Sequence, residues 1–461
     1  MARRPPRSHN PADGFNFRFV GPLALGATLN PLNSTMIATA LVLIADDIGV
    51  PMTEISWLIA GLYIASAIAQ PTMGKLADLF GPRRIYLFSL VIVALAGLVG
   101  QLANGLFGLV ASRVLLGIGT SGAYPSAMRL FRERADLIGA PPPRKAMGML
   151  SLAALSTAAF GPLLGGIMTH WLGWHAIFSI NIPLALITLL LVRAGIPPAP
   201  RRVTHWRRVL LEIDPVGMLL FTAALMTLLL WLFEADRLGY GVLVASALLW
   251  PVFVIHSLRQ ATPFINMRML IDNVPLSLTY LRASALMMVV YCIVYGYTQW
   301  LQSVGYSSAE AGLFMLPIAT VSAASSLVGA RTKGIRGPFL FSIACALVGS
   351  ALLLMLHTGS PVWTIVAVGL LFGPPQGMFM TATQAAVYVQ ASANDIGAAA
   401  GLQRSAQYIG AIGAATALAN IFGQRASDTG LHHLGMMMGL LCAAALLLTI
   451  LDRTIPRGAV G

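Results

Sequence analysis

Apolar runs of roughly 18 or more residues recur from one end of the chain to the other, separated by short polar loops. Each run is long enough to cross a hydrocarbon core about 30 Å thick as a helix. The runs lack the strict alternation of barrel strands, and a helix satisfies its own backbone hydrogen bonds in lipid. The pattern predicts an all-α polytopic membrane protein with about fourteen transmembrane helices, centred near residues 33, 62, 95, 118, 158, 185, 224, 248, 291, 321, 348, 373, 411 and 442.

Lysine and arginine are concentrated in alternate loops of this prediction, for example at Lys75, Arg83 and Arg84, while the opposite loops carry mainly acids such as Asp46 and Asp47. An even number of spans places both termini on one side, and the excess of positive charge predicts that this side is cytoplasmic. No short apolar core with a small-residue cleavage site follows the basic start, so we expect the first span to remain as an anchor.

A faint internal repeat divides the predicted helices into two sets. GKLADLFGPRRIYLFSL from Gly74 aligns with GARTKGIRGPFLFSI from Gly329, and VLLGIGTSG aligns with LLFGPPQG through Gly117 and Gly373. The offsets of the two alignments agree within one residue, which favours two six-helix halves with two helices inserted between them. The predicted segments are a tail (1–17), the N-terminal half (18–195), a linker with two inserted helices (196–262), the C-terminal half (263–452) and a second tail (453–461).

Composition agrees with a bilayer location: of the 461 residues 57% are hydrophobic and 10% are charged. The formal charge of +13 would suggest nucleic acid in a soluble protein, but here topology explains it, so no nucleic-acid partner is expected. The three cysteines lie inside predicted spans without metal-ligand or disulfide spacing, and we interpret them as packing residues. We predict no metal, no cofactor and no catalytic residue, since neither a metal-ligand cluster nor a GxSxG or phosphate-binding loop is present.

Three stretches, in this order and on these predicted helices, carry a family resemblance. GKLADLFGPRR from Gly74 resembles the loop 2–3 signature of the major facilitator superfamily, and RVLLGIG from Arg113 resembles its fourth-helix signature. GPLLGG from Gly161 resembles the fifth-helix signature of its antiporters. WHAIFSINIP from Trp174, DPVG from Asp214 and QWLQSVGYSSAEAGLFMLP from Gln299 look like the fourteen-span branch of drug:proton antiporters.

The resemblance implies a conformational switch at two places. In the loop 2–3 signature, Asp78 would latch the halves by accepting hydrogen bonds at a helix N-terminus, although solvated loop charge is the alternative. In the fifth helix, the glycines permit close approach and the proline bends the helix, or the segment only packs. The candidate switch residues are Gly74, Asp78, Gly81, Arg83 and Arg84 in the loop, and Gly161, Pro162, Gly165 and Gly166 in the helix.

The resemblance also implies proton coupling, on which three residues bear. Arg113 is costly inside a span unless it faces a wet cavity or a partner, and the family ties this arginine to coupling; the alternatives are a structural salt bridge or snorkelling towards an interface. The branch usually carries an aspartate in its first helix where this chain has Asn33, which cannot exchange a proton. Glu234 is the best substitute acid, although a solvated loop acid is the simpler interpretation.

Candidate substrate-binding residues are polar or aromatic side chains inside the predicted spans. Their alternatives are hydrogen bonds between helices, an aromatic belt at the membrane interface, or, for the arginine, snorkelling to the surface. The candidates are Asn30, Asn33, Ser34, Arg282, Tyr291, Tyr295, Gln376, Gln403 and Gln407. With arginines and no acid near the middle of the spans, we expect neutral, zwitterionic or anionic amphiphiles rather than lipophilic cations.

The sequence therefore predicts a secondary transporter, not an enzyme, that exports small amphiphilic compounds by alternating access, with protons as the driving partner. A dedicated exporter of one anionic or siderophore-like metabolite, without proton coupling, stays open. We expect a monomer in a bacterial inner membrane with the lipid bilayer as its environment, and partner subunits in the envelope stay an open alternative.

Overall fold

The computed structural model describes residues 15–138, 144–198, 212–332, 334–391 and 396–455, and within these ranges the secondary structure is helical. We call the helices before residue 196 the N-terminal group. They are α1 Phe17–Met36, α2 Leu41–Ile48, α3 Met52–Ile55, α4 Trp57–Phe80, α5 Pro82–Leu102, α6 Leu106–Ser121, α7 Ala123–Ile138, α8 Arg144–Leu172, α9 Ala176–Ser179 and α10 Asn181–Gly195. A 3₁₀ turn, Ile37–Thr39, follows α1.

The long element α11, Pro215–Arg259, separates this group from the C-terminal group. The C-terminal group contains α12 Met267–Asp272, α13 Val274–Tyr291, α14 Thr298–Ser303, α15 Ser308–Arg331, α16 Arg336–Leu353, α17 Val362–Leu370, α18 Gly373–Gln376, α19 Met378–Gln390, α20 Ile396–Phe422 and α21 Asp428–Leu451. A π-helical segment, Cys292–Tyr297, joins α13 to α14.

The described helices confirm a protein that crosses a membrane many times. Eleven helical segments within the described ranges are long and apolar enough to span a bilayer. A twelfth is counted when α1 and α2, which are bent by 60° at the 3₁₀ turn, are taken as one span. The predicted centres 158 and 411 lie in the long helices α8 and α20, parts of which have side chains outside the described set. The count of fourteen stays a prediction.

The element α11 contains two of these spans, Pro215–Leu232 and Leu238–Arg259. In a straight helix, residues 224 and 246 would be roughly 33 Å apart at 1.5 Å per residue. Instead, the Ser246 hydroxyl donates to the carbonyl of Ala224 at 3.1 Å, so the two spans lie side by side as a hairpin. Gly239, with φ +63°, supplies the left-handed conformation that a turn between them needs.

Packing within each group is denser than packing between them. In the N-terminal group, α1 packs on α8 and α10, and α4 packs on α6; in the C-terminal group, α13 packs on α20, and α16 packs on α21. Two helix pairs make the main contact between the groups, α8 with α15 and α4 with α20. Polar side chains on these four helices and on the neighbouring α1 and α13 are therefore the ones placed to face the other group.

Asp214 fixes the open end of the α11 hairpin, where its two spans begin and end. Its carboxylate caps α11 by accepting from the backbone N–H of Gly217 at 3.0 Å, and it also accepts from the N–H of Phe264 at 2.8 Å. His256 lies near the C-terminal end of α11, and its Nε2 atom is 2.8 Å from the same carboxylate. Burial alone would raise the pKa of Asp214, but the hydrogen bonds from His256, Gly217 and Phe264 together lower it below its usual value.

We predict that Asp214→Asn destabilises the protein by about 1–3 kcal/mol at neutral pH, because the amide has one acceptor oxygen for two backbone donors. Since the folded pKa of Asp214 is lowered, its contribution exists above the unfolded pKa of about 3.9 and is lost as the pH falls through the folded pKa. Unfolding of the detergent-solubilised protein between pH 7 and pH 3 measures this, with the exposed Asp272→Asn as control. Equal stability of the two variants at pH 7 would contradict the prediction.

Candidate functional site

A break in the first membrane span exposes backbone carbonyls in the middle of the bundle. The last four carbonyls of an α-helix have no partner within the helix, and α1 ends at Met36. Three of these four accept hydrogen bonds from buried side chains. The Thr39 hydroxyl donates locally to the carbonyl of Met36 at 3.1 Å. The other two donors come from other helices: Arg113 Nη1 donates to the carbonyl of Asn33 at 2.9 Å, and the Tyr295 hydroxyl donates to the carbonyl of Ser34 at 2.5 Å. The break is therefore a polar centre between the two groups.

Arg113, on α6, is only 2% exposed. Besides the contact with Asn33, its Nε atom donates to the carbonyl of Leu58 on α4 at 2.9 Å, while Nη2 has no hydrogen-bond partner. The guanidinium thus ties α1, α4 and α6 together through main-chain oxygens. A structural salt bridge was one alternative to a coupling role for Arg113. No such bridge to Arg113 is present among the described side chains, so its positive charge is held there without a carboxylate.

Asn33 occupies the position where an acid was expected, and its amide is fully bonded inside the N-terminal group. Its Nδ2 donates to the carbonyl of Leu29 at 2.9 Å and to Asn181 Oδ1 at 2.5 Å, and its Oδ1 accepts from Asn181 Nδ2 at 2.8 Å. This reciprocal amide pair joins α1 to α10. Asn181 is not among the candidates predicted from the sequence, although it lies within the stretch WHAIFSINIP.

The neighbouring polar candidates of α1 also bond within the N-terminal group. Asn30 Nδ2 donates to the hydroxyl of Thr120 at 2.9 Å, and the Ser34 hydroxyl donates to the carbonyl of Pro31 at 2.9 Å. In this state these side chains form hydrogen bonds between and within helices. This is the alternative that the sequence left open for the polar candidates of α1.

Tyr295 connects the break in α1 to the C-terminal group. Because its own proton goes to the Ser34 carbonyl, its oxygen accepts from the Tyr63 hydroxyl, 2.9 Å away on α4. Tyr291 stacks on Tyr295 with ring centroids 5.7 Å apart and meets the Tyr63 ring edge-on at 5.1 Å. A fourth ring, Tyr408 of α20, lies 5.7 Å from Tyr63. The four tyrosines form a buried aromatic cluster between the groups, of which the sequence had indicated two.

Tyr295 lies in a π-helical segment. Cys292–Tyr297 interrupts the regular helix of the ninth predicted span, and such bulges are frequent at functional sites. Nothing in the sequence marks this segment except a high content of aromatic residues.

The glutamine candidates lie farther along the C-terminal group. Gln376 lines a small cavity with Pro162 and apolar side chains of α13 and α15. Gln403 and Gln407 are both buried, and Gln407 Nε2 lies 3.7 Å from the sulfur of Met380. None of the three contacts the tyrosine cluster directly by a hydrogen bond in the described residues.

Arg282 is not part of this centre. It lies on α13, roughly 20 Å from Tyr295 along the helix at 1.5 Å per residue, and is completely buried. Its Nη2 atom forms an ion pair with the carboxylate of Asp452, just after α21. Burial would raise the pKa of Asp452, but hydrogen bonds from Thr454 and Arg282 lower it below its usual value. The charge of Arg282 is therefore neutralised by an acid 170 residues away.

The loop 2–3 signature forms a tight turn at one end of the N-terminal group. Gly81 has φ +94°, a conformation that requires glycine, while Gly74 lies on α4 with only ordinary contacts. Arg83 Nη2 lies 3.5 Å from the carbonyl of Arg193, and Arg84 is exposed. The side chain of Asp78 lies outside the described residues, as does that of Glu234 on α11, so the latch and the substitute acid stay predictions.

The GPLLGG segment of α8 contacts both neighbours through its glycines. A Cβ atom at Gly161 would lie 1.8 Å from the Thr35 hydroxyl, and one at Gly165 would lie 2.3 Å from the carbonyl of Met36. Gly166 faces the C-terminal group, where its Cβ would lie 2.3 Å from the carbonyl of Ser308. Pro162 lies within the helix and its carbonyl approaches Gly312 of α15. Close backbone approach between α8 and α15 therefore depends on glycine.

The two groups meet at the predicted outer end, where loop 1–2 lies. Gln302 Nε2 donates to the carbonyl of Thr39 at 3.0 Å, and the N–H of Thr53 donates to the carbonyl of Gly423 at 3.2 Å. Together with the Ser308 and Gly166 contact, these bonds close that end in the described state. Within the described residues, no group of three or more His, Cys, Asp or Glu side chains is arranged to hold a metal ion.

Comparisons with known proteins agree with this architecture. The profile of the Major Facilitator Superfamily matches residues 23–415. The chain is 30% identical over 437 residues to the uncharacterized MFS-type transporter YwoD of Bacillus subtilis (strain 168), covering 94% of this chain and 96% of that protein. It is 28% identical over 456 residues to the tetracenomycin C resistance and export protein of Streptomyces glaucescens, covering 91% and 79%.

The fold also matches that of the xylose transporter XylE from E. coli in a partially occluded inward open conformation, with a TM-score of 0.64, 14% identity, and coverage of 96% of this chain and 98% of that one. At this identity the likeness shows the fold alone. The helical architecture defines a multi-pass membrane protein, and the matching family profile makes it a transporter. The chain belongs to the Major Facilitator Superfamily.

We predict that Tyr295→Phe shifts the protein toward a state open at the outer end, because the variant loses the donor to Ser34. A net hydrogen bond is worth about 0.5–1.5 kcal/mol, so the population ratio should change by about 2–10-fold. Distances between spin labels at Glu54 and Thr429, which are exposed on opposite groups at this end, measure the shift.

The matched control for this change is Tyr297→Phe. The Tyr297 hydroxyl donates to the carbonyl of Ile365 at 2.9 Å, so the control loses a buried bond within the C-terminal group only. Equal distance distributions for the two variants would refute a role of Tyr295 in holding the groups together.

We predict that Asp452→Leu destabilises the protein by about 3–5 kcal/mol, because it leaves the buried Arg282 without its partner. The double variant Arg282→Met with Asp452→Leu should recover most of this loss, since no buried charge remains. Denaturation of the purified protein in detergent provides the double-mutant cycle. A double variant as unstable as the sum of the two single variants would show that the ion pair is not the relevant interaction.

Proposed function

We propose that this protein is an efflux transporter that exports small amphiphilic compounds by alternating access. The support from comparison is the 28% identity to a protein named for tetracenomycin C resistance and export. The support from geometry is the tyrosine cluster between the groups, which offers aromatic faces and hydroxyl groups to a bulky ligand once the groups separate. The proposal includes fourteen spans, both termini in the cytoplasm of a bacterium, and a monomer in the inner membrane.

The distribution of charge is the observation that supports the proposed substrate class. Arg113 is buried at the centre without a described carboxylate partner. The described carboxylates lie at the ends of the spans or in loops, where several are paired, as Asp214 is with His256 and Asp452 is with Arg282. A cavity that opened beside Arg113 would therefore have a positive or neutral potential. We infer a preference for neutral, zwitterionic or anionic amphiphiles over lipophilic cations.

We further propose that export is coupled to protons, with Arg113 and Glu234 as the candidate coupling residues. Asn33 cannot take this role, because its amide does not titrate and is bonded to Asn181. The alternative is a dedicated exporter of one anionic metabolite that works without protons. Arg113 has no carboxylate partner among the described residues, and this favours the anionic substrate of the alternative, since an anion would supply that partner.

The test uses purified protein in liposomes with an imposed proton gradient, and compares ethidium, a cation, with 8-anilinonaphthalene-1-sulfonate, an anion. We expect gradient-driven movement of the anion, little movement of ethidium, and loss of the gradient dependence in Glu234→Gln. Strong ethidium transport without anion transport would refute the substrate class.

The variant Asn33→Asp separates the two proposals on coupling. If the wild-type protein is indifferent to the gradient and Asn33→Asp becomes gradient-driven, the uncoupled exporter is correct. Asn104→Asp is the control, because Asn104 is exposed in the loop between α5 and α6 and adds an acid away from the centre. A gradient effect in both variants would mean that the position of the new acid is irrelevant.

A further inference from the structure

Arg404, on α20, is an accessible cation at the contact between the two groups. Its guanidinium carbon lies 5.5 Å from the ring centroid of Tyr124 on α7, so the side chain points toward the N-terminal group rather than into lipid. Arg404 is partly exposed, and Tyr124 is 37% exposed. Arg113, in contrast, is 2% exposed and bonded to main-chain carbonyls. In the described state a ligand can therefore contact Arg404 but not Arg113.

Arg404 lies on the side of the bundle opposite to the closed outer contacts. The outer end of α20 is marked by Gly423, whose carbonyl accepts from the N–H of Thr53 in the other group. Arg404 is roughly 28 Å from that end along the helix at 1.5 Å per residue. One turn from Arg404 toward that end, the Tyr408 hydroxyl donates to Gln70 Oε1 of α4 at 2.6 Å. A compound that enters from the predicted cytoplasmic side therefore reaches Arg404 first and then Tyr408, a member of the tyrosine cluster.

The guanidinium of Arg404 has donors available for a ligand. Of the five N–H donors that a guanidinium carries, Arg404 uses one in the described residues, from Nη1 to Gln407 Oε1 at 3.4 Å. No described carboxylate forms an ion pair with it. The arginine fork matches a carboxylate through two parallel hydrogen bonds, and such charge-assisted bonds are among the stronger ones in proteins. This arrangement indicates a place for an anion.

We propose that Arg404 binds the carboxylate of an aromatic acid as this compound moves from the cytoplasm to the tyrosine cluster. The inference narrows the proposed substrate class and names the residue that recognises its charge. The role in export rests on the proposed function, whereas binding of the acid does not.

The aromatic part of the ligand follows from the rings around Arg404. Tyr124 lies beside the guanidinium, and Tyr408, four residues later on the same face of α20, lies 5.7 Å from Tyr63 of the cluster. In an aromatic acid the carboxylate is joined directly to the ring. A carboxylate bound to Arg404 therefore leaves the ring within reach of these tyrosine faces, which favour offset or edge-on contacts with a second ring.

The test measures binding of 2-naphthoate, an anion at pH 7, and of the neutral 2-naphthamide to the full-length protein in neutral detergent by isothermal titration calorimetry. We expect the wild type to bind the anion about tenfold more tightly than the amide. In Arg404→Gln the affinity for 2-naphthoate should fall by about tenfold, as loss of a charge-assisted pair implies, while that for 2-naphthamide stays within about twofold. Equal affinity of the wild type for both compounds, or an unchanged affinity for 2-naphthoate in Arg404→Gln, would overturn the inference.

Two further variants control for net charge and for folding. Arg425→Gln removes the same charge from an exposed position at the outer end of the same group, and it should bind 2-naphthoate as the wild type does. A loss equal to that in Arg404→Gln would mean that only net charge matters. Arg404→Lys keeps the charge without the fork, so its affinity for 2-naphthoate should lie between those of the wild type and Arg404→Gln. Wild-type affinity in this variant would refute the bidentate contact.

A purely structural role of Arg404, as a bridge to Tyr124, gives a different result. Tyr124→Leu removes the cation–π contact but leaves the guanidinium in place. We expect the preference for 2-naphthoate over 2-naphthamide to persist in Tyr124→Leu and to disappear in Arg404→Gln. Loss of the preference in both variants would show that the bridge, and not anion binding, is the function of Arg404.

Flux in liposomes separates this inference from the proposed function. Absence of flux for all compounds would end the proposed function and leave the calorimetric result standing. If the wild type transports 2-naphthoate, Arg404→Gln should raise its KM by about tenfold, in line with the weaker binding, and change kcat much less. Equal KM values in the two proteins would refute a role of Arg404 in export.

Discussion

The organisation of this protein depends on how it satisfies the backbone carbonyls that are exposed where its first helix stops inside the membrane. In a bilayer core no water is available for such groups, and each unbonded one costs several kcal/mol. Arg113 bonds the carbonyl of Asn33 and also that of Leu58, so one side chain holds three helices of the N-terminal group. Tyr295 bonds the next carbonyl, that of Ser34, from the C-terminal group. The same break therefore builds one half of the bundle and connects it to the other.

The contacts between the two groups are of a kind that can separate and form again. Apolar surface gives little driving force for association between helices that already lie in lipid, so close packing and hydrogen bonds must hold the groups together. Here the packing depends on glycine, since a Cβ at Gly166 or Gly312 would collide with backbone of the opposite helix. The hydrogen bonds are few and extend from the outer end, where Gln302 bonds Thr39, through the centre, where Tyr295 bonds Ser34, to Tyr408, which bonds Gln70. Such an interface suits a Major Facilitator transporter, in which the two groups must change their relative orientation in each cycle.

Charged side chains are bonded differently at the ends and at the centre of the bundle. At the ends of the described bundle, Asp214 and Asp452 are bonded to cationic or backbone donors and fix the ends of helices. At the centre, Arg113 keeps its charge against main-chain oxygens, and an asparagine pair replaces the expected acid. A guanidinium that relies on carbonyls can bind a substrate without first breaking a salt bridge. This difference between the ends and the centre is the physical basis for the proposed substrate class.

The sequence by itself determined the helical membrane class, the family, the loop that contains Gly81 and the position of Arg113 inside a span, because hydrophobic run length, glycine and a lone charge in lipid are local signals. It could not determine the partners of these residues. Asp452 neutralises Arg282 across 170 residues, Asn181 completes the amide of Asn33, and Tyr63 and Tyr408 extend the two predicted tyrosines to a cluster. The π-helical turn that contains Tyr295 also appeared only in the folded chain. Each depends on which helix faces which, and that is decided by packing between distant segments rather than by any pattern along one of them.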